Sequence, residues 1–563
     1  NAAYNMPGVY VFTGDLNVNT LKKAFIGLIE RHEILRTVFK KNEREEVRQF
    51  ILALEAVGFN IAYQDISKEP NQKEMLQDLV REVFTIPFQL EQGPLLRASV
   101  YQVQANKFVF AYAMHHIISD GWSMGILIKE LLHLYNGAFD ESPFPLAPLR
   151  IQYKDYSAWQ QDQLSGEALK MHQSYWLKQF EGELPVLELA QGTIRPAIQT
   201  YQGNIVHKEI SENTTRGIKK IVQEGGATLF MGLVAMVNTL LYRHSNQEDI
   251  IIGSPVSGRE HADLENQIGF YVNTLALRTR FKGEDSFRDM LQHVKQVTLD
   301  AYDHQVYPFD ELVDALDLRR DMSRNPLFDV MVTLQQQESN QTNEHLLNNL
   351  VVSSYDGATA VISQFDLSFN FEDFGTELSL GLEFNTDIYP QYLAEQLAEH
   401  FVSLINALIA MPALEIQKLE YLIEAEKQNL LTTFNNTTVV YETHKTIVDL
   451  FEEQAEKTPS AIALVLEDRE LRYKELNKIS NQLARYLRKN YEIKSNDLVG
   501  IELERTEWTI ISILAVLKCG GAYVPIDSLY PEERKVYMIK DSRCKLVINE
   551  ATLEQFRSEV KSH

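Results

Sequence analysis

The stretch that decides the fold of this chain is His115-His116-Ile117-Ile118-Ser119-Asp120-Gly121-Trp122-Ser123. Before it, residues 108–114 run apolar and are rich in aromatic and β-branched side chains, which predicts a buried strand. After it, residues 122–132 have helical periodicity, with Asp120 or Ser123 available as the N-cap. The two histidines are therefore predicted to lie in the turn between a strand and a helix, a usual place for catalytic groups.

The two imidazoles are predicted to point in different directions. Side chains alternate across a strand, so His115 and His116 should lie on opposite faces. One ring can then enter a cavity while the other braces the scaffold. A pair of purely structural histidines is the simpler interpretation of the dipeptide alone. The choice between a structural and a catalytic pair therefore depends on the rest of the chain.

The full stretch resembles the His-His-x-x-x-Asp-Gly signature of condensation domains from non-ribosomal peptide synthetases, a family within the chloramphenicol-acetyltransferase-like acyltransferases. Other signatures of the family are matched in order between residues 31 and 327, and six ordered matches are very unlikely by chance. The further matches are Arg31-His32-Glu33-Ile34-Leu35-Arg36-Thr37-Val38-Phe39, Tyr153-Lys154-Asp155-Tyr156-Ser157-Ala158-Trp159, Ile268-Gly269-Phe270-Tyr271-Val272-Asn273-Thr274-Leu275, His304-Gln305-Val306-Tyr307-Pro308-Phe309-Asp310 and Arg320-Asp321-Met322-Ser323-Arg324-Asn325-Pro326-Leu327.

One family signature has no counterpart. The first signature, a Ser-x-x-Gln-x-Arg type segment, should precede Ala3-Tyr4-Asn5-Met6-Pro7, and the sequence begins too late to contain it. In the family this segment helps to line the active-site tunnel, so that part of the tunnel wall is not represented in the sequence.

Composition narrows the class of protein. A length of 563 residues predicts two to four domains, and a formal net charge of −24 disfavours nucleic acid as a partner. The two cysteines, Cys519 and Cys544, form neither a metal-ligand spacing nor a disulfide framework, which suits a reducing cytoplasm. We expect no membrane span, because the longest apolar stretch, residues 227–242, contains Gly232 and Asn238 and is typical of a buried helix.

The expected fold class is α/β. The resemblance implies two chloramphenicol-acetyltransferase-like lobes in a V-shaped pseudo-dimer, with the active site between them. We assign residues 1–175 to the N-lobe, 176–413 to the C-lobe and 414–440 to a linker. Within the lobes, the patterns predict strands at 9–12, 203–210 and 249–253, and a helix at 21–31.

A second domain is predicted over residues 441–563. Residues 471–477 and 517–527 resemble the first two signatures of an adenylation domain. The phosphate-binding loop and the catalytic lysine of that family would fall beyond residue 563, so we expect no amino-acid activation by this chain alone, and the remainder of an adenylation domain becomes an expected partner.

The resemblance implies peptide-bond formation in antibiotic-type secondary metabolism. An upstream carrier protein would present a donor thioester, and the amine of an acceptor thioester on a downstream carrier would attack it. Both phosphopantetheine arms belong to the carriers, so the domain is expected to bind no metal, nucleotide or other cofactor of its own.

The predicted catalytic group is His116, His115, Asp120 and Gly121. In the family the second histidine is the working one, so His116 is either a general base or a group that orients the amine. The resemblance implies an ion pair between Asp120 and Arg31, with Arg36 as the alternative, that fixes the loop. Gly121 is expected to bring a backbone N–H near the developing oxyanion.

Five further residues are assigned to the substrate tunnel. Trp122 is either a core residue, the preferred interpretation, or a wall of the acceptor channel. Ser123, Asn273, Tyr307 and Pro308 are expected to border the tunnel.

Three alternatives compete with peptide-bond formation. An epimerisation domain shares the histidines, but it does not lead directly into an adenylation domain. A heterocyclisation domain would carry an Asp-x-x-x-x-Asp pattern in place of the histidines. A docking module of the same fold usually has a damaged histidine motif, whereas this one is intact. Among condensation domains, the motif most resembles the subtype that joins an L-configured donor to an L-acceptor.

Overall fold

The computed structural model describes residues 4–138, 146–189, 194–318, 321–336, 350–355 and 361–561. The chain forms two compact units, Asn1–Thr433 and Phe434–His563, and the division falls inside the predicted linker 414–440. Arg320, in the last of the predicted signatures, lies outside the described residues.

The first part of unit one alternates strands and helices as the sequence patterns predict. The predicted strand at 108–114 and helix at 21–31 are confirmed, each extended by a few residues. The elements are β1 (Asn5–Gly14), α1 (Val18–Arg31), β2 (Thr37–Lys41), β3 (Val47–Ile51), β4 (Ile61–Asp65), α2 (Gln72–Thr85), β5 (Leu96–Gln104), β6 (Lys107–His115), α3 (Gly121–Gly137), α4 (Tyr153–Gln163) and α5 (Gly166–Gln179).

The second part of unit one has the same mixed character. The strands predicted at 203–210 and 249–253 are confirmed. The elements are β7 (Gln202–Ile210), α6 (Glu212–Glu224), α7 (Leu229–Ser245), β8 (Asp249–Val256), β9 (Asn273–Arg280), α8 (Phe287–Asp303), α9 (Phe309–Ala315), β10 (Val330–Gln336), β11 (Leu350–Ser354), β12 (Val361–Ile362), β13 (Leu367–Asp373), β14 (Leu378–Asn385), α10 (Gln391–Ala410) and α11 (Glu424–Gln428).

Two main sheets organise this unit. The first has the strand order β11-β1-β6-β5-β4, and the second has the order β12-β7-β14-β13-β10-β8-β9. β11 pairs antiparallel with β1, with Gly14 opposite Leu350. The first sheet therefore takes one strand from the range predicted for the C-lobe, a pairing between residues more than 300 positions apart that no local pattern encodes.

The most deeply buried helix is α7. Every residue from Met231 to Tyr242 is buried, as the largely apolar sequence of this stretch predicts. Two polar side chains in this stretch, Asn238 and Thr239, donate to the carbonyls of Val234 and Ala235, while the buried Asn238 Oδ1 has no hydrogen-bond partner among the described residues. Among the described residues, no single helix is long and apolar enough to cross a bilayer, and α6 with α7 passes that test only as a pair bent by 104°.

The second unit is a separate α/β fold. Its elements are α12 (Ile447–Lys457), β15 (Ile462–Leu466), β16 (Arg469–Arg472), α13 (Tyr473–Tyr491), β17 (Leu498–Ile501), α14 (Glu507–Lys518), β18 (Ala522–Pro525), α15 (Glu532–Ser542), β19 (Leu546–Ile548) and α16 (Glu550–Lys561). Its parallel sheet has the order β18-β17-β19, and α14 connects β17 to β18 as a crossover helix.

Candidate functional site

The histidine motif has the predicted strand–turn–helix geometry. β6 ends at His115, residues His116–Ile118 form one 3₁₀ turn, and α3 begins at Gly121. Asp120, not Ser123, is the N-cap, because its carboxylate accepts the Ser123 backbone N–H. The motif thus places the second histidine immediately before a capped helix.

The His116 imidazole is held in one tautomer. Its Nδ1 lies 2.8 Å from the Ser119 carbonyl oxygen, which can only accept, so Nδ1 carries the proton. In the neutral imidazole Nε2 then keeps its lone pair, and no hydrogen bond to it is found in the described part of the chain. The Phe270 ring stands edge-to-face against the imidazole, with centroids 5.2 Å apart and planes at 88°.

His115 has different neighbours and a different state. Its Nδ1 accepts the Ile117 backbone N–H at 3.1 Å, and its ring lies near Tyr4 and Phe88. Burial, together with the charge of His116, lowers the pKa of His115 to about 4. The ring is therefore neutral at physiological pH and braces the turn, as a structural partner to His116 should.

The lowered pKa of His115 predicts acid sensitivity. Between pH 6.5 and 4 the unfolded chain binds a proton that the folded chain does not, so stability should fall as the pH drops through this window. We expect His115 to contribute roughly 1 kcal/mol to this loss after allowance for partial exposure. The measurement is the melting temperature of wild type and His115→Asn against pH, and the wild-type curve should be the steeper below pH 6.5.

Only the difference between the wild-type and His115→Asn curves isolates the contribution of His115 to the pH dependence of stability. Burial and the charge of Asp366 raise the pKa of Asp329, so this carboxyl should stabilise the folded state as the pH falls, which is the opposite of the effect of His115. The contribution of Asp329 is the same in wild type and in His115→Asn, so it cancels in the difference. Above pH 7.5 the curves should run parallel. Parallel curves across the whole range would mean that His115 does not resist protonation.

Asp120 is the centre of a buried polar cluster. Its Oδ1 accepts the backbone N–H and the hydroxyl of Ser123 at 2.8 and 2.7 Å, and its Oδ2 accepts the Tyr271 N–H at 3.1 Å. Arg259 donates to both carboxylate oxygens at 3.0 and 3.2 Å. The carboxylate and the guanidinium are 3% and 2% exposed, so each depends on the other for its charge to be tolerated.

The predicted ion pair between Asp120 and Arg31 is wrong, and so is the alternative with Arg36. Arg31 donates to Glu130 at 3.0 Å, and Arg36 donates to the Leu52 carbonyl. The reason is the packing of α1 on α3, which brings the end of α1 beside Glu130, ten residues and nearly three turns beyond Asp120.

Arg31 and His32 form a second set of contacts that holds α3 in place, through Glu130. His32 Nε2 lies 2.7 Å from Glu130, and its Nδ1 accepts the Ile268 N–H at 3.4 Å. Burial acts to raise the pKa of Glu130, but the bonds from His32 and Arg31 outweigh it and the pKa is lowered. The Arg31-His32 signature thus fixes α3 at Glu130, while Asp120 fixes its N-terminus.

Arg259 is the functional-site residue that sequence reasoning missed. It lies 139 positions after Asp120, in the loop beyond β8, and donates further to the carbonyls of Leu264 and Gln267. Gly258 before it adopts φ +62°, and a side chain there would meet the Tyr271 carbonyl oxygen. A glycine–arginine pair between two matched signatures was the available signal, but it is too common to identify a partner.

The residues after Asp120 differ in environment. Gly121 is exposed, and a side chain there would meet no atom within 4 Å, so packing alone does not require glycine. Trp122 is 54% exposed and donates to the Glu265 carbonyl at 2.9 Å, so the core interpretation is wrong. Ser123 is fully buried in the Asp120 cluster, so its assignment to the tunnel is also wrong. The oxyanion role of Gly121 and a channel role of Trp122 stay predictions.

Asn273 braces the turn that contains the other two predicted tunnel residues. Its amide donates to the carbonyls of Gln305 and Tyr307 at 2.7 and 2.8 Å and accepts the Phe309 N–H at 3.1 Å. The Tyr307 ring is 3% exposed and belongs to the core, so it cannot line a tunnel. Pro308 is the N-cap of α9, and its position at the tunnel, like that of Asn273, stays a prediction.

Within the described residues, no group of three or more His, Cys, Asp or Glu side chains is placed to hold a metal ion. What the site offers is a half-buried imidazole with a free acceptor nitrogen, fixed at the end of a strand in a two-sheet α/β unit. That arrangement is typical of enzymes that use general acid–base catalysis during acyl transfer.

Comparison with known families agrees with this class. The condensation-domain family model matches residues 1–431, and the AMP-binding enzyme model matches residues 451–563. The chain therefore belongs to the condensation-domain family of non-ribosomal peptide synthetases, followed by an AMP-binding segment, which confirms the resemblance drawn from the motifs.

The curated relatives of this chain are peptide synthetases of the same family. The chain is 39% identical over 562 residues to tyrocidine synthase 3 of Brevibacillus parabrevis and 38% identical over 551 residues to gramicidin S synthase 2 of Brevibacillus brevis. These matches cover 100% and 98% of the chain but only 8% and 12% of the two relatives.

Among solved structures, a holo four-domain non-ribosomal peptide synthetase matches 97% of the chain and 42% of its own length, with a TM-score of 0.84 and 23% identity. The X-domain from teicoplanin biosynthesis matches 74% of the chain and 93% of its own length, with a TM-score of 0.67 and 22% identity. These likenesses establish the fold, confirming the α/β prediction.

Proposed function

We propose that this chain forms peptide bonds between two carrier-bound thioesters. The observation that carries the proposal is the His116 imidazole, whose Nδ1–H is bound to the Ser119 carbonyl so that Nε2 remains a free acceptor. The substrates are a donor thioester on an upstream carrier protein and an aminoacyl thioester on a downstream carrier, each on a phosphopantetheine arm.

The reaction needs no group beyond these partners. The acceptor amine attacks the donor carbonyl carbon, the C–N bond forms, the C–S bond breaks, and the proton lost by nitrogen ends on the departing thiol. An α-amine has an unperturbed pKa of roughly 7.7–8.0, so part of it is already neutral near pH 7. His116 Nε2 accepts a hydrogen bond from the amine and takes its proton, or holds the amine in line without taking it.

The cluster around Asp120 supports this role indirectly. It ties the N-terminus of α3 to the 267–271 segment, and both carboxylate oxygens accept hydrogen bonds from groups other than the imidazole. We therefore assign Asp120 and Arg259 to positioning. Gly121, exposed and with open space beside it, is the position where a backbone N–H would meet the oxyanion.

The experiment is an assay with purified donor-loaded and acceptor-loaded carriers and this chain. The proposal predicts a product one residue longer on the downstream carrier, with L-configured donors reacting faster than their D-forms. An epimerase would instead invert the residue on its own carrier, and a docking module would leave both thioesters unchanged. The docking alternative needs this test because a shared fold alone does not discriminate an enzyme from a docking module.

A further inference from the structure

We propose that Phe270 is a positioning residue for the His116 imidazole and that Tyr153 acts on His116 through Phe270. This inference rests on the proposed function and deepens it, since it concerns how the working nitrogen is aimed. Phe270 stands at a right angle to the imidazole, with the ring centroids 5.2 Å apart. The Nδ1 bond to Ser119 fixes one edge of the imidazole, and the Phe270 ring limits the rotation that this single bond would still allow.

The backbone around Phe270 is held at three consecutive residues. The Ser123 hydroxyl accepts the Gly269 N–H at 3.1 Å, Asp120 accepts the Tyr271 N–H at 3.1 Å, and the Tyr153 hydroxyl donates to the Phe270 carbonyl at 2.9 Å. Two of these three bonds come from the same helix N-terminus that follows His116. The backbone that carries the Phe270 ring is therefore fixed relative to the turn that carries the His116 imidazole.

The Tyr153 ring packs closely against the same segment, at Gly269 and Tyr271. A side chain at Gly269 would lie 2.4 Å from the Tyr153 ring, so glycine is required for that ring to lie against the backbone and reach the Phe270 carbonyl. The Tyr153 ring also packs edge-to-face on Tyr271, with centroids 5.2 Å apart. Burial raises the pKa of Tyr153, so its hydroxyl remains a donor throughout the working pH range.

The test is a double-variant cycle on the complete chain with both loaded carriers. Phe270→Ala should lower kcat about tenfold or more, and Tyr153→Phe about threefold to tenfold, with KM for either carrier changed less than about twofold. In the Phe270→Ala background, Tyr153→Phe should cause no further loss, and Phe270→Tyr should retain most of the activity. The matched control is Tyr156→Phe, one helical turn away with its ring on Tyr271, which should leave kcat unchanged.

A second measurement separates positioning from general stability. With ¹⁵N-histidine labelling, and His116 assigned from its missing signal in His116→Ala, wild type should show the Nδ1–H tautomer. Phe270→Ala and Tyr153→Phe should each shift the signals toward a mixture of tautomers, with melting temperatures unchanged. This readout needs no turnover, so it remains decisive even if the wild type forms no peptide and the proposed function fails.

Three results would overturn the inference. The first is an additive loss of kcat in the double variant, which would mean that Tyr153 does not act through Phe270. The second is a loss of kcat with unchanged His116 nitrogen signals. The third is a loss confined to KM, which would make Phe270 a binding surface for substrate and not a positioning residue.

Discussion

Replacement of Asp120 by alanine should destabilise the first unit by about 3–5 kcal/mol, because it leaves the buried Arg259 guanidinium without its counter-charge. The same change removes the N-cap of α3 and the acceptor of the Tyr271 N–H. Any loss of peptide formation should accompany a lower melting temperature. Thermal melting and the yield of soluble protein measure the effect.

The partner of Asp120 can be identified in the same experiment. Asp120→Ala combined with Arg259→Met should recover much of the lost stability, since removal of both charges costs less than removal of one. Arg31→Met should add to Asp120→Ala independently, because Arg31 pairs with Glu130. Strong coupling of Asp120 to Arg31 would contradict the structure. A fully stable but inactive Asp120→Ala would move Asp120 into the catalytic group.

Replacement of His116 by alanine should abolish peptide formation while the melting temperature stays nearly unchanged. Loss of a general base typically costs about 10²–10⁴-fold in rate. The structural cost is small because the half-buried side chain makes one hydrogen bond to the described part of the chain, to the Ser119 carbonyl. The measurement is product formation on the downstream carrier, beside a thermal melt.

The pH dependence of His116→Ala separates the two roles of the imidazole. If His116 only deprotonates the amine before attack, activity should return as the pH rises above the amine pKa of roughly 8. If it orients the amine or manages the zwitterionic intermediate, the defect should persist at high pH. A fully active His116→Ala at neutral pH would contradict the assignment of this site to peptide-bond formation.

The fold and the centre of the site were largely predictable because they depend on local patterns. Strand β6 follows from a run of apolar, aromatic and β-branched residues, and the capped start of α3 follows from a change to helical period and an Asx N-cap. The wrong predictions concern side chains whose surroundings come from distant segments. Ser123 and Tyr307, predicted to border a tunnel, are buried, whereas Trp122, preferred as a core residue, is exposed.

By itself the sequence determined the α/β class, the strand–turn–helix that holds His116, and the family. Each of these depends on residues close together in the chain, or on an ordered set of such local motifs. Only the tertiary structure decided that Arg259 pairs with Asp120, that Phe270 faces His116, and that β11 joins the first sheet. The physical reason is that several arginines and aromatic residues satisfy the same chemistry, and the packing of helices and loops selects which of them comes within bonding distance.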